Sequence, residues 1–267
     1  MKGLSDLLRF WFTFDAPVSR RAYLAHGAGL MVVKYVVDAT LIWVLAAQLW
    51  TPWDYLTTGA DFAHSKLAGA PGVLLPLLGL WTLPFLWIGL TMTLRRALDA
   101  GRSAWLALLF FVPVANYVLM ATLCLLPTQS PRGLAALPPR REGKLPSALL
   151  SIAVGVGIDI GMFVLSVYGM RDYGLALFVG TPFVAGIVSG YVYNRRYAAT
   201  ERETMELALL TTGIMVGVLF TVGFEGAICL AMALPLVMAI GAFGALVGRA
   251  IALRDARSPW RSLFALA

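Results

Sequence analysis

The sequence has few charged residues for its length. Only 13% of its 267 residues are Asp, Glu, Lys or Arg, whereas soluble domains carry roughly 25%. Hydrophobic residues make up 60% of the chain, and the mean hydropathy is +0.80. Because so few charges cannot cover the surface of a soluble protein of this size, we expect a multi-pass membrane protein.

Cysteine and histidine are also scarce, with two of each. Cys124 and Cys229 both lie in apolar runs, which argues against a disulfide framework and against a cysteine-based zinc site. His26 and His64 fall on opposite sides of the expected membrane and cannot share a metal ion. We therefore expect no metal site and no cofactor.

The known motifs of catalysis are missing as well. The chain has no His-Glu-x-x-His, no Gly-x-Ser-x-Gly and no P-loop, and no polar segment is long enough for a separate active-site domain. We expect no catalytic residues and predict that the protein is not an enzyme. The basic residues form no aromatic-interleaved stripe in a polar segment, so we expect no nucleic-acid partner.

What the sequence does contain is long apolar runs. About 20 apolar residues cross the ~30 Å hydrocarbon core as a helix, and backbone groups without water must pair within the helix. Barrel strands would instead be short and alternating. The predicted fold class is therefore all-α, a polytopic helical membrane protein. The runs cover residues 24–50, 72–94, 104–126, 147–170, 173–193, 205–222 and 225–250.

The positive charges decide between two topologies. Pro113 lies near the middle of the run 104–126, and proline breaks or kinks a helix. If that run enters and leaves on one side as a re-entrant hairpin, 18 of the 21 Lys and Arg residues share one side of the membrane. Positive residues concentrate on the cytoplasmic side. We predict six spans plus the hairpin, with both termini cytoplasmic; seven simple spans are the alternative.

A basic, proline-rich segment divides the chain. Residues 128–146 carry four prolines and four basic residues and predict a cytoplasmic linker. The linker separates a membrane domain at 1–127 from a four-helix transmembrane bundle at 147–253. Residues 254–267 are predicted to be a cytoplasmic tail.

The N-terminal segment does not resemble a cleavable signal peptide, because Asp6 and Arg9 interrupt its apolar residues. Its pattern predicts an amphipathic helix lying in the membrane interface. The side chains expected to face lipid are Leu4, Leu7, Leu8, Trp11 and Phe12.

Each of the four apolar runs after the linker contains two glycines four residues apart. That spacing places both on one helix face, where the missing side chains let two backbones approach closely. We expect these faces to pack the bundle together; packing in a homodimer is the alternative. The pairs are Gly157/Gly161, Gly186/Gly190, Gly213/Gly217 and Gly244/Gly248.

Four ionisable residues are candidate functional groups within or beside the membrane. Lys34 and Asp38 lie one helical turn apart and can neutralise each other. Asp159 lies near the centre of its run, either neutral or paired with Lys34, and Glu225 lies at an expected outer turn. A structural ion pair and a hydrated turn acid are expected; a proton- or cation-coupled path through Asp159 is the alternative.

Two segments carry a family resemblance. FDAPVSRRAYLAHG and PFLWIGLTMTLRRALDAGRSAWLALLFFVPVANYVLMATLCLLP resemble the bacterial domain-of-unknown-function 805 family, the YhaH-like inner-membrane proteins. The likeness covers roughly residues 10–127 and implies a bacterial inner membrane. Leu98 replaces a histidine of the family pattern, and Asp15-Ala16 replace Gly-Arg. The matching positions are Ser19, Arg20, Arg21, Tyr23, Arg95, Arg96, Asp99, Gly101, Ser103, Trp105 and Pro113.

The stretch RRALDAGRSAW, residues 95–105, has two interpretations. In the structural one, an aspartate pairs with the arginines one turn away, Gly101 ends the helix and Ser103 caps the next. In the functional one, a charged corner binds anionic phospholipid headgroups or a docking partner. The corner comprises Arg20, Arg21, Arg95, Arg96, Asp99 and Arg102.

These observations predict an accessory or scaffold protein of the inner membrane. It would act through helix packing with lipids, a membrane-protein partner or a second copy. The alternative is a small-solute or ion transporter in which Asp159 is the coupling carboxylate.

Overall fold

The computed structural model describes residues 3–14, 17–55, 66–67, 69–128, 142–170, 176–221 and 227–255. Within these ranges the secondary structure is entirely helical, and six helices are long and apolar enough to cross a membrane. The predicted fold class and the count of six spans are confirmed. The spans are Arg20–Ala46, Leu74–Asp99, Lys144–Gly169, Leu177–Arg196, Glu201–Thr221 and Ile228–Leu253.

The chain forms two compact units, Met1–Leu134 and Ala135–Ala267. The first contains a short N-terminal helix, two spanning helices and a fourth helix of 13 residues. Two 3₁₀ segments, Pro52–Tyr55 and Ala104–Phe111, lie between them. The helices are α1 (Leu4–Phe12), α2 (Arg20–Ala46), α3 (Leu74–Asp99) and α4 (Pro113–Leu125).

The second unit is built from four helices. Two π-helical segments, Leu165–Met170 and Ala176–Gly180, lie between the first and second of these. Such segments are rare and occur often at functional sites. The helices are α5 (Lys144–Val164), α6 (Thr181–Arg196), α7 (Glu201–Thr221) and α8 (Ala227–Asp255).

Local sequence signals account for the end of α3 and the start of the next segment. The backbone N–H of Arg102 donates to Ala97 O at 2.8 Å, and that of Gly101 donates to Leu98 O at 3.0 Å. This Schellman arrangement needs a left-handed residue, and Gly101 supplies it with φ of 69°. Ser103 then accepts the N–H of Trp105 at 3.3 Å. The predicted roles of Gly101 and Ser103 are confirmed.

The predicted break at Pro113 is also confirmed. The Ala104–Phe111 segment ends at Val112, and α4 begins at Pro113. Proline is tolerated at the first helical position, because the N–H that it lacks would have no partner inside the helix. With 13 residues, α4 is shorter than the ~20 needed to cross the hydrocarbon core as a straight helix.

The core of the first unit includes Val18, Tyr23 and Leu123. Trp11 packs against this cluster, which corrects the expectation that it faces lipid. Leu8 and Phe12 are exposed, while the side chain of Leu4 lies outside the described residues. The predicted outer apolar face of α1 is therefore confirmed at Leu8 and Phe12 but not at Trp11, whose side chain packs against the core.

Two predicted boundaries shift by a few residues. Helix α5 begins at Lys144, inside the predicted linker, and α8 continues to Asp255, inside the predicted tail. The rest of both segments lies largely outside the described residues, as do His64 and Glu225.

Candidate functional site

Arg96 is a structural residue at the end of α3. Its side chain is 0% exposed, and its guanidinium donates through Nε to Leu123 O at 3.0 Å and through Nη2 to Leu126 O. Nη1 donates to Asp99, which also accepts the Thr128 hydroxyl at 2.9 Å. Arg96 therefore ties the end of α3 to the end of α4.

Arg95 also has a structural role, because it connects α3 to α1. It is 1% exposed, and Nη1 donates to Phe10 O at 2.6 Å and to Thr13 O at 3.0 Å. The guanidinium carbon lies 4.9 Å from the centre of the Phe10 ring, within the range of a cation–π contact. Arg95 thus joins the C-terminal turn of α1 to α3.

The predicted headgroup corner is divided by these contacts. Arg95, Arg96 and Asp99 face the inside of the first unit and hold its helices together. We therefore remove these three residues from the predicted binding surface. Only Arg20, Arg21 and Arg102 are exposed.

Lys34 and Asp38 form the intrahelical ion pair that their spacing allows. Tyr55 also donates its hydroxyl to Asp38 Oδ2 at 2.7 Å. Burial, together with this bond to a carboxylate, raises the pKa of Tyr55 above its ordinary value, so the phenol keeps its proton and remains a donor. Tyr55 was missed at the sequence level because 17 residues separate it from its partner.

Asp159 lies in the interior of the second unit. Asp159 is 5% exposed, and it lines a cavity of about 80 Å³ between α5, α6, α7 and α8. No other described residue makes a hydrogen bond or ion pair with its carboxylate. The surrounding side chains are apolar except for Thr181 and Thr212.

The backbone beside this cavity is irregular. Leu177 and Phe178 line the cavity from the π-helical segment Ala176–Gly180. Pro182 lies at the start of α6 and supplies no backbone N–H to the preceding turn. The cavity that Asp159 lines is therefore bordered by a segment that departs from regular α-helical hydrogen bonding.

Asp159 is directed inward because it ends a stripe of small residues on α5. Ser147, Ser151, Gly155 and Asp159 follow one another at intervals of four and are all buried. A Cβ at Gly155 would lie 2.8 Å from Thr211 Cγ2, so this glycine belongs to the packing face. The regular spacing was a visible signal for Gly155, which the sequence analysis missed.

Two of the four predicted glycine pairs do pack helices together. A Cβ at Gly186 or Gly190 would overlap the backbone of Gly241 or Ala245 on α8. On α8, a Cβ at Gly244 or Gly248 would overlap the carbonyl oxygen of Phe183 or Ile187. The crossing of α6 and α8 therefore depends on four positions that carry no side chain.

The glycine pairs of α5 and α7 do not contact a neighbouring helix among the described residues. A Cβ at Gly157, Gly161, Gly213 or Gly217 would meet no described atom within 4 Å. The predicted packing role within the bundle is therefore corrected for these four positions, which lie on open faces of α5 and α7.

Neither cysteine nor a cluster of acids offers a metal site in the described part of the chain. Cys124 and Cys229 are free thiols, and no group of three His, Cys, Asp or Glu residues comes together there. The oxygen-bearing side chains that line the Asp159 cavity are those of Asp159, Thr181 and Thr212, of which only Asp159 carries a carboxylate.

Comparison with protein families gives a match for the first half of the chain. Residues 11–132 match the family model described as "Protein of unknown function (DUF805)". This segment lies within the first unit and covers somewhat less than half of the chain. It agrees with the resemblance carried by the two N-terminal motifs. Comparisons with curated proteins and with solved structures find no match.

Proposed function

We propose that this integral membrane protein is a small-solute or ion transporter in which Asp159 binds a proton or a monovalent cation. The observation that carries the proposal is a buried aspartate that lines a cavity and whose carboxylate has no partner among the described residues. An unpaired carboxylate in apolar surroundings costs free energy. A bound proton or cation removes that cost, and intramembrane carboxylates commonly serve this purpose.

The lining of the cavity supports this chemistry. Thr181 and Thr212 line the same cavity as Asp159, and so do Leu177 and Phe178 of the π-helical segment. In transporters with interrupted helices, backbone carbonyls of such irregular segments bind alkali cations. The volume of about 80 Å³ exceeds the ~10–15 Å³ that one water molecule needs. The cavity thus has room for a dehydrated cation or for water molecules that carry a proton.

Proton flux in liposomes tests the proposal. The purified protein would be reconstituted with trapped pyranine, and internal pH would be followed after a potassium diffusion potential is imposed, with and without a sodium gradient. We expect Asp159→Asn to reduce the flux at least about tenfold. Glu206→Gln is the control, because Glu206 is an exposed carboxylate of the same unit. Equal flux in wild type and Asp159→Asn would contradict the proposal.

A second candidate is the accessory or scaffold role. It is favoured by the open glycine faces of α5 and α7, where a helix of a membrane-protein partner or of a second copy could approach closely. Intact-complex mass spectrometry from native nanodiscs tests it. A stoichiometric complex that Gly217→Leu disrupts, and that Val218→Leu at the neighbouring exposed position of α7 leaves assembled, would support this role. A monomer in both variants and in wild type would oppose it.

We also propose a bacterial inner membrane with both termini in the cytoplasm. The bias of 18 of 21 basic residues towards one side supports this orientation. The exposed Arg20, Arg21 and Arg102 would each gain ~1 kcal/mol near anionic headgroups on that side. A C-terminal fusion should fluoresce with green fluorescent protein and be inactive with alkaline phosphatase. The proposal assigns no enzymatic reaction to the chain.

A further inference from the structure

A second cavity lies within the first unit, apart from Asp159. It has a volume of about 230 Å³ and is lined by α2, α3, α4 and the neighbouring 3₁₀ segments. Its walls are mainly apolar, and we call it the lateral slot. An apolar cavity of ~150 Å³ in another protein binds benzene, so the lateral slot is large enough for part of an organic ligand.

One end of the lateral slot has its polar groups paired within the protein. There the hydroxyls of Tyr23 and Thr93 are hydrogen-bonded to each other at 2.9 Å, and both are buried. This end therefore offers an incoming ligand mainly apolar contacts.

Two other polar side chains in the lateral slot keep capacity for a ligand. Oδ1 of Asn116 is buried, and no described residue donates a hydrogen bond to it. Lys34 uses one N–H for Asp38, which leaves two of its three ammonium donors. Nζ of Lys34 lies 5.8 Å from the centre of the Tyr55 ring and 5.9 Å from that of Phe85.

The lateral slot opens to the outside of the unit. Met31 and Tyr117 both line it, yet they remain 49% and 36% exposed. Met31 and Lys34 lie near the middle of the spanning helix Arg20–Ala46. The opening therefore lies at a depth where the surroundings are lipid, and a ligand would enter sideways from the bilayer.

We propose that the lateral slot binds a lipid with a hydroxyl-bearing head, of the monoacylglycerol class. Its head and first carbons would occupy the cavity, and its chain would leave between Met31 and Tyr117. A hydroxyl both donates and accepts, so one such group can pair with the amide of Asn116 and another with the ammonium of Lys34.

A fatty acid fits this chemistry less well. Its carboxylate cannot donate to Asn116 Oδ1, because an ionised carboxylate is only an acceptor. Asp38 already neutralises Lys34, so the lateral slot offers no net positive charge to a second carboxylate. The arrangement therefore favours a neutral head over an anionic one.

Native mass spectrometry of the full chain, released from detergent micelles, tests the proposal with two probes, 1-monooleoylglycerol and oleic acid. We expect one saturable 1-monooleoylglycerol per chain, bound about tenfold more tightly than oleic acid. A tenfold difference corresponds to about one hydrogen bond. Equal or tighter binding of oleic acid would overturn the assignment of the head group.

Two neighbouring glycines of α2 provide a matched pair of variants. A Cβ at Gly27 or Gly29 meets no described atom within 4 Å, but only Gly27 lines the lateral slot. Gly27→Leu should reduce the affinity for 1-monooleoylglycerol at least about tenfold, whereas Gly29→Leu should retain it. Equal binding by both variants would overturn the location of the site.

Asn116→Leu provides a separate test, because it changes a polar group of the lateral slot on α4 and leaves Gly27 on α2 unchanged. It should weaken 1-monooleoylglycerol about tenfold and oleic acid less, because only the hydroxyl can donate to Asn116 Oδ1. If Gly27→Leu fails to fold, this variant decides, and an unchanged affinity would overturn the proposal. None of these variants touches Asp159, so the outcome is independent of the proton-flux test.

Discussion

Arg96 donates its Nε proton to the carbonyl oxygen of Leu123 at 3.0 Å, although the two residues are 27 positions apart. The guanidinium is completely enclosed and also holds Asp99 and the carbonyl of Leu126. A charge in such a place is tolerated only when it is paired and hydrogen-bonded. Through these contacts Arg96 connects the C-terminal end of α3 to the C-terminal end of α4.

Removing the Arg96 side chain should lower the stability of the first unit. Arg96→Ala leaves Asp99 buried without its cation, and breaking a buried pair from one side costs about 3–5 kcal/mol. Thermal unfolding in detergent, followed by circular dichroism, measures the effect. Arg102→Ala is the control, because Arg102 is exposed, and it should change the melting temperature little. Equal melting of the two variants would contradict the structural role of Arg96.

The crossing of α6 and α8 predicts opposite results for two chemically identical substitutions. Gly190→Ala would place a methyl group against the backbone of Ala245 and should cost about 1–3 kcal/mol of unfolding free energy. Gly213→Ala meets open space and should be neutral or stabilising, since alanine is the better helix former. Unfolding in sodium dodecyl sulfate, titrated against a mild detergent, compares the two. A tolerated Gly190→Ala would disprove the close crossing.

If Asp159 is kept for function, the wild-type protein should be less stable than a variant in which an apolar residue replaces it. Asp159→Leu replaces an unpartnered carboxyl by an apolar side chain and should raise the unfolding free energy by about 1–3 kcal/mol, while abolishing proton flux. Stability and activity trade against each other at such sites. The thermal unfolding of Asp159→Leu and wild type should be compared at one pH. A less stable variant would instead indicate a structural partner for the carboxylate.

The ion pair between Asp54 and Lys66, in the segment after α2, should stabilise the fold less at low pH. Lys66 donates to Asp54 at 2.6 Å, and with the backbone N–H of Thr51 it lowers the pKa of that carboxyl. Because the folded pKa lies below the unfolded value of about 3.9, the pair stabilises the fold fully above that value. The contribution is lost as the pH falls through the folded pKa.

Asp54→Asn tests this dependence. The variant should melt earlier than wild type at pH 7, and the difference should shrink as the pH is lowered from about 4 towards 2. Glu206→Gln, at an exposed surface pair, controls for a general loss of charge. A difference between Asp54→Asn and wild type that stays constant with pH would argue against the ion pair.

Several features were predictable from the sequence because each depends on composition or on residues close in the chain. The low charge and the long apolar runs determine a helical membrane protein. Gly101 and Ser103 act within their own turns, and Pro113 marks the break in its run. Lys34 and Asp38 meet because one helical turn separates them.

The inward faces of the helices were decided only by the tertiary structure. Four identical glycine pairs divide into two that pack and two that do not, and Arg95 is buried although its sequence position suggested an exposed helix end. The physical reason is that lipid tails are as apolar as a protein interior. A membrane helix therefore has no polar outer face, so its sequence pattern determines that it spans but not which side meets its neighbours.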